Sequence, residues 1–566
     1  MKRTVAIGVQ DFEELRVDQR FYVDKTNFIS EWWYGGDAVT LITRPRRFGK
    51  TLNLSMMNCF FSNKYANRGE LFEGLKVWED PELRKEQGAW PVIFLSFAGV
   101  KLDTYQKCRK SLNLLIADLY NTYRWLLEDS RFSEADRSFF TSVNGEMDDP
   151  TAAMAIRKLC EWLEKSYGKK VLIFLDEYDT PLQESYVQGF WLEMVAFTRT
   201  MFNNTFKTNP SMYRGIMTGI TRVSKESIFS DLNNLDVVTT TSDKYATCFG
   251  FTEPEVFQAL EDQGFDDQAK EDVKAWYDGF TFGSVTDIYN PWSVTNYLDE
   301  GKLRTYWANT SGNGLVSTLI REGDPTVKTQ FETLLAGGTL TVPIDEQIIF
   351  DQLNKRENAI WSFLLAAGYL KVVSIDRKME IGEGDDNLYT LSLTNLEVQR
   401  TFRKMVRAWF EEAGNFGKFV TAMLRGNEEE MNWYMNRIAM NVFSSFDTGK
   451  KPGESEPEKF YHGFVLGLMA DQVSSYDLKS NRESGLGRYD VMMIPKKPGN
   501  PAVIIEFKVF NSRKGEASLE DTAANALKQI EEKKYETELI AQGVPAENIL
   551  KYGFGFRGKE CLIRMG

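Results

Sequence analysis

Asp490, Glu506 and Lys508 are two carboxylates and an ammonium whose spacing allows them to meet at one divalent cation. They stand in two β-rich apolar runs, Gly487-Arg488-Tyr489-Asp490-Val491-Met492-Met493-Ile494 and Ala502-Val503-Ile504-Ile505-Glu506-Phe507-Lys508. Between the runs lies Pro495-Lys496-Lys497-Pro498-Gly499-Asn500-Pro501. The proline and glycine of this connector stop any helix, so the pattern predicts an antiparallel hairpin. Side chains alternate across a strand, which puts Glu506 and Lys508 on one face and Phe507 on the other. The strands run in opposite directions, so Asp490, opening the first, is carried close to Glu506 near the end of the second. Hard oxygen ligands of this kind suit Mg²⁺, which keeps waters and a substrate phosphate in its shell. Lys508 is then placed to stabilise an attacking hydroxide or the charge developing on phosphorus. The plain alternative is a half-buried hairpin with a charged rim.

A second chemistry is written near the other end of the chain. The apolar run Ala38-Val39-Thr40-Leu41-Ile42-Thr43 leads into Arg44-Pro45-Arg46-Arg47-Phe48-Gly49-Lys50-Thr51, and a helical pattern follows. Strand, loop, Gly-Lys-Thr and helix together form the context of a phosphate loop. Loop N–H groups and the helix N-terminus would face the phosphates, Lys50 would reach the β/γ oxygens, and the Thr51 hydroxyl would hold Mg²⁺. The usual first glycine of such a loop is Arg44 here. Arginine adopts positive φ less cheaply than glycine and takes up space near the phosphates, while Arg44, Arg46 and Arg47 add compensating charge.

The companion element is Val171-Leu172-Ile173-Phe174-Leu175-Asp176-Glu177, five apolar residues ending in two acids. In a phosphate-loop ATPase, Asp176 would assist the Mg²⁺ shell and Glu177 would polarise the attacking water. A buried strand ending in a solvated acidic turn is the competing reading. A further strand, Tyr213 to Gly219, leads to Arg222. By position Thr218 would sense a γ-phosphate, and Arg222 would contact phosphate, pair with an acid or decorate a turn. Alternating strands and helices predict a parallel sheet with ligands at the carboxyl ends of its strands.

Downstream, 240–412 is mostly helical in pattern and carries Trp276-Tyr277-Asp278-Gly279-Phe280, Tyr289-Asn290-Pro291-Trp292-Ser293 and Tyr306-Trp307. An amphipathic helix from Glu357 to Leu370 precedes a hairpin, Lys371–Ile375 and Leu388–Leu393, around Gly382-Glu383-Gly384-Asp385-Asp386. Helix plus wing suggests a winged-helix-like module. Only Arg377 and Lys378 decorate the wing beside several acids, which favours packing over DNA contact. Its aromatic clusters read as core. Glu397 to about Tyr434 reads as a helical connector, and 446–457 has linker composition.

Residues 22–235, with their Arg-Pro-Arg-Arg-Phe-Gly-Lys-Thr loop, resemble the AAA-like ATPase family, in which arginine at position 44 is the normal form. Asp490…Glu506-x-Lys508 resembles the core of the PD-(D/E)XK nuclease superfamily, in the branch that sits behind AAA-like ATPase domains. That resemblance assigns Asp490 and Glu506 to Mg²⁺ and Lys508 to the nucleophile or transition state. It adds Glu458, on a helix expected over Glu458–Ala470, to the metal ligands. His462, the single histidine, lies at i+4 from Glu458, on the same face, and is read as a packed helix residue ahead of a catalytic one. Gln529 and Tyr535 resemble a Gln and Tyr near the active site of RecB-like members, though their spacing differs.

These readings give an α/β protein. A phosphate-loop parallel-sheet ATPase domain spans 1–237, a helical and winged-helix-like middle 238–412, a connector 413–457 and an α/β nuclease-like domain 458–566. A hydrophobic share of 42% and aromatics at 13% suffice for packed interiors. A net charge of −13 argues against a generally basic nucleic-acid coat. The five cysteines form no Cys-x-x-Cys pair, which points to a reducing compartment and no structural zinc. With no signal peptide and no membrane-length apolar run, the expectation is a soluble cytoplasmic protein. ATP, Mg²⁺ and DNA are its expected cofactors and ligands, with self-association left open. The expected activity is a metal-dependent DNA endonuclease regulated by an ATP-binding domain, in defence or mobile-DNA processing. The alternative is a nucleotide-dependent switch or scaffold whose nuclease-like fold only binds.

Overall fold

In the computed structural model the described residues are 3–222, 228–229, 232–307, 314–322, 325–345, 358–376, 387–411, 416–442, 475–484, 487–512, 515–557 and 560–566. Apolar runs without polar alternation suit strands covered on both faces. Such runs form β1 (Val39–Thr43), β2 (Val92–Ser96) and β3 (Val171–Asp176); β4 (Met212–Gly219), buried from Arg214 onward, and β5 (Leu235–Val238), half-buried and carrying Asp236, complete the sheet. They order as β2-β3-β4-β1-β5, and every neighbouring pair is parallel. Chain order breaks at β1, so connections diverge at its carboxyl end and leave a crevice there. Helix Lys50–Phe61 leaves that end and buries Leu54, Met57, Phe60 and Phe61 in a cluster with Trp32 and Phe174.

The next strands are short: β6 (Phe251–Thr252), β7 (Phe280–Phe282) and β8 (Val285–Tyr289), ordered β6-β8-β7 and antiparallel. Helices Glu253–Asp262, Asp267–Tyr277 and Pro291–Glu300 pack with them around Val256, Leu260, Val273 and Tyr289. The expected helix and wing are present as helix Ala359–Ala366, β10 (Leu370–Asp376) and β11 (Leu388–Leu393), and β9 (Leu340–Pro343) joins as a third strand beside β11. Glu357, Arg377, Lys378 and Gly382–Asp386 lie outside the described residues. By its contacts the chain divides into two units, Met1–Leu315 with Thr341–Val398, and Val316–Leu340 with Gln399–Gly566.

In the second unit β12 (Tyr476–Ser484), β13 (Gly487–Pro495), β14 (Ala502–Val509), β15 (Ile549–Arg557) and β16 (Glu560–Met565) form one mixed sheet in chain order. Only β14 and β15 run parallel, joined by a crossover that contains helix Leu519–Lys533. Glycine lets that helix lie close on the sheet: a Cβ at Gly553 would stand 2.3 Å from the Ala523 carbonyl oxygen. The outer edge of β16 is closed by helix Glu428–Val442. Asn432 accepts from the N–H of Ile563 and donates to its carbonyl, both at 2.8 Å, and Asn436 does the same for Cys561 at 2.9 and 2.7 Å. Four helical residues advance about 6 Å, close to the two-residue repeat of a strand, about 6.7 Å, so the two amides stay in register with the edge. Among the described residues no helix is long and apolar enough to cross a membrane.

Candidate nucleotide and nuclease sites

At the carboxyl end of β1 the chain turns through Arg47 and Gly49, both left-handed at φ 65° and 80°, and enters helix Lys50–Phe61. The Lys50 ammonium donates to the carbonyls of Arg44 and Pro45 at 2.9 and 2.8 Å and so spans the loop. Burial pushes its pKa down to about 8, with Glu177, Asp176 and Asp179 as the opposing charges. The Thr51 hydroxyl donates to Asp176 at 2.7 Å, and Thr218 donates to the other oxygen of that carboxylate at 2.6 Å. Burial raises the Asp176 pKa, against these two hydroxyls. A hydroxyl and a carboxylate in contact beside a lysine-spanned loop are the oxygen donors that Mg²⁺ of a bound nucleotide takes. Glu177 follows at φ 49° and accepts from the Thr180 hydroxyl at 3.0 Å.

The three loop arginines separate. Arg46 and Arg47 are exposed. Arg44, expected beside the phosphates, is instead fully buried: its guanidinium donates to the carbonyls of Thr43, Thr239 and Lys244 and lies 4.4 Å from the Phe282 ring centroid. Burial lowers its pKa to about 9. Phe48 points away from solvent and packs on Phe280 and Phe282 at centroid distances of 4.8 and 5.4 Å. Arg222 lines a cleft with Thr43, Thr239, Thr240, Thr241 and Ser362. Between β3 and β4, Asp179 accepts from the N–H groups of Ile220 and Thr221, both at 3.0 Å, and fixes the turn that carries Arg222.

In the second unit, Val491 pairs with Ile505 across the β13–β14 ladder, so the same register sets Asp490 opposite Glu506. Asp490 belongs to a longer strand than expected, starting at Gly487, and its carboxylate accepts the Phe507 N–H at 2.8 Å. Glu506 is 1% exposed and accepts from Lys508 at 2.9 Å. Phe507 takes the opposite face, with Phe554. The three residues read from the hairpin therefore lie together, and two carboxylate donors on adjacent strands fit a hard cation such as Mg²⁺. Glu458 and His462 lie outside the described residues.

Gln529 and Tyr535 join this cluster. Gln529 donates to Glu506 and, at 3.0 Å, to the Tyr535 hydroxyl. Their spacing works because the helix ends at Lys533 and Lys534 turns left-handed at φ 53°, which folds Tyr535 back toward Gln529. Burial raises the Tyr535 pKa. In the parallel β14–β15 register Gly553 and Gly555 stand beside Glu506 and Lys508, so the helix carrying Gln529 reaches the carboxylate over a glycine floor.

Two family models match the chain: one described as predicted AAA-ATPase over residues 6–229, the other as the PD-(D/E)XK nuclease superfamily over residues 456–565. A curated protein of Azotobacter chroococcum mcd 1, described as an uncharacterized protein in the vnfD 5' region, is 24% identical over 560 residues, covering 96% of this chain and 95% of its own length. Among solved structures, the Aeropyrum pernix ORC2 protein in its ADPNP and ADP complexes aligns with a TM-score of 0.24 at 10% identity, over 67% of this chain and 92% of that one.

Proposed function

We propose that this chain, which carries an AAA-ATPase-like domain at residues 6–229 and a PD-(D/E)XK nuclease superfamily domain at residues 456–565, binds ATP at the first and cuts DNA at the second, the nucleotide regulating the cut. Its setting is defence against foreign DNA or the processing of mobile DNA. The observation that carries the nuclease half is the meeting of Asp490, Glu506 and Lys508 on adjacent strands, with the Lys508 ammonium in contact with Glu506. Asp490 and Glu506 would hold Mg²⁺, joined by Glu458. The metal supplies Lewis-acid polarisation of a phosphodiester and of water. Lys508 provides positive charge where negative charge develops on phosphorus. In the ATPase half the Lys50 ammonium would exchange loop carbonyls for phosphate oxygens, Thr51 and Asp176 would hold the nucleotide's Mg²⁺, and Glu177 would orient water.

The test is nicking of supercoiled plasmid by the full chain in Mg²⁺ or Mn²⁺, with and without ATP. Wild type is expected to nick, and Lys508→Ala to lose roughly two orders of magnitude or more. Lys50→Ala should abolish both nucleotide-induced thermal stabilisation and any response of nicking to ATP. Equal absence of nicking in wild type and Lys508→Ala sinks the nuclease and leaves a nucleotide-dependent scaffold.

A further inference from the structure

The motif text Tyr289-Asn290-Pro291-Trp292-Ser293 and Tyr306-Trp307 lies beyond the ATPase-family match, which ends at residue 229, yet it reaches the phosphate loop. The Arg46 carbonyl accepts from the buried Trp307 indole N–H at 2.9 Å and from the Asn290 side-chain amide at 3.3 Å. These two donors are themselves fixed. Asn290 caps helix Pro291–Glu300, its oxygen accepting the N–H groups of Trp292 and Ser293. Glu397, 1% exposed, accepts the Trp307 backbone N–H at 2.6 Å and the Ser293 hydroxyl at 2.7 Å. Trp307 also packs on Phe280 and Tyr369, and the Arg47 guanidinium lies 4.3 Å from the Trp292 ring centroid.

The stereochemistry of one peptide unit gives these contacts a purpose. In a trans peptide the C=O of residue 46 and the N–H of residue 47 point in opposite directions, and among the described residues there is no cis peptide bond. Drawing the Arg46 carbonyl out toward Trp307 and Asn290 therefore turns the Arg47 N–H the other way. In a left-handed turn of this kind successive N–H groups make an anion-binding concavity. We infer that Trp307 and Asn290 are positioning residues for nucleotide binding, which hold the Arg46–Arg47 peptide so that the Arg47 amide N–H faces the phosphates. Glu397 acts behind them as their common anchor. This inference rests on the reading of 44–51 as a phosphate loop.

The experiment measures binding of Mg-ATP and of tripolyphosphate to the full chain by calorimetry, together with the melting temperature without ligand. Trp307→Phe keeps the ring packing and removes the N–H donor. Asn290→Asp keeps the helix cap and removes the amide donor. Each substitution is expected to weaken both ligands by the same factor, roughly two- to tenfold for one hydrogen bond, with the unliganded melting temperature close to that of wild type. Unchanged affinity in both variants overturns the inference. So does a loss confined to ATP with tripolyphosphate unaffected, because the residues would then act on the nucleoside. A collapse of melting temperature in Trp307→Phe leaves the decision to Asn290→Asp, whose unchanged affinity is equally fatal. If wild type binds neither ligand, the phosphate-loop reading itself fails, a result distinct from binding without dependence on these residues.

Discussion

A carboxylate buried as deeply as Glu506 is tolerated only when donors replace the lost water, and Lys508 and Gln529 supply them. Gln529 bridges to Tyr535 as well, so it aims Glu506 without belonging to the Asp-Glu-Lys set. Gln529→Leu is expected to lower plasmid nicking by roughly 10- to 100-fold, the usual cost of losing a residue that orients a metal ligand, and to raise the Mg²⁺ concentration needed for half activity. An unaltered Mg²⁺ requirement would speak against that role. Arg44 poses the reverse case, since its side chain leaves the phosphates and satisfies three main-chain carbonyls inside the domain. Restoring the glycine common in other phosphate loops, Arg44→Gly, should therefore cost roughly 3 kcal/mol in denaturant unfolding, because it orphans buried acceptors. Asp278 gives a pH signature. Burial first, and then Asp287, push its pKa from 3.8 up to about 6. A raised folded-state value means its stabilising contribution is full below 3.8 and is lost as pH rises through about 6. Asp278→Asn is accordingly expected to raise the melting temperature at pH 7.5 and to give no gain at pH 4. A gain that grows toward low pH would contradict it.

At the scale of elements, the Asp490–Glu506–Lys508 cluster and its contact to Gln529 depend on how closely helix Leu519–Lys533 lies over β14 and β15. Gly553→Ala places a methyl group against the Ala523 carbonyl. Overpacking of this kind costs roughly 1–3 kcal/mol and lifts Gln529 away from Glu506. Nicking should fall while nucleotide-induced stabilisation, measured in the same preparation, stays as in wild type. The hairpin itself was legible in the sequence, because alternation and the Pro-Gly connector fix which residues share a face and which lie opposite. The strand–loop–helix around Gly49-Lys50-Thr51 and the acid at the end of β3 were legible for the same local reason. The buried role of Arg44 was not, since the Lys244 carbonyl it satisfies lies 200 residues further along the chain. Nor could spacing pair Gln529 with Tyr535, because the left-handed residue that folds the chain back is a lysine and not a glycine. The aromatic clusters that contain Trp307 and Asn290 read as core, and only the fold brings these two residues to the Arg46 carbonyl.

Across the whole molecule, the residues proposed for nucleotide binding and those proposed for DNA cleavage fall in different compact units, and the second unit draws on chain well before its family match. Helix Glu428–Val442 lies upstream of residue 456, where that match starts, and still covers β16. A fragment beginning at 456 is therefore expected to aggregate on expression, whereas one beginning at 399 and joined to 316–340 should stay monodisperse by size-exclusion chromatography. Equal behaviour of the two fragments would refute this. The pair Asn432 and Asn436 has one more effect, on how copies of the protein can meet. By answering the outward N–H and C=O groups of Ile563 and Cys561, the two amides impersonate a sixth strand and end the sheet. Along that border no neighbour can add itself by backbone pairing, so strand-to-strand joining of copies through this sheet is confined to its opposite margin, β12.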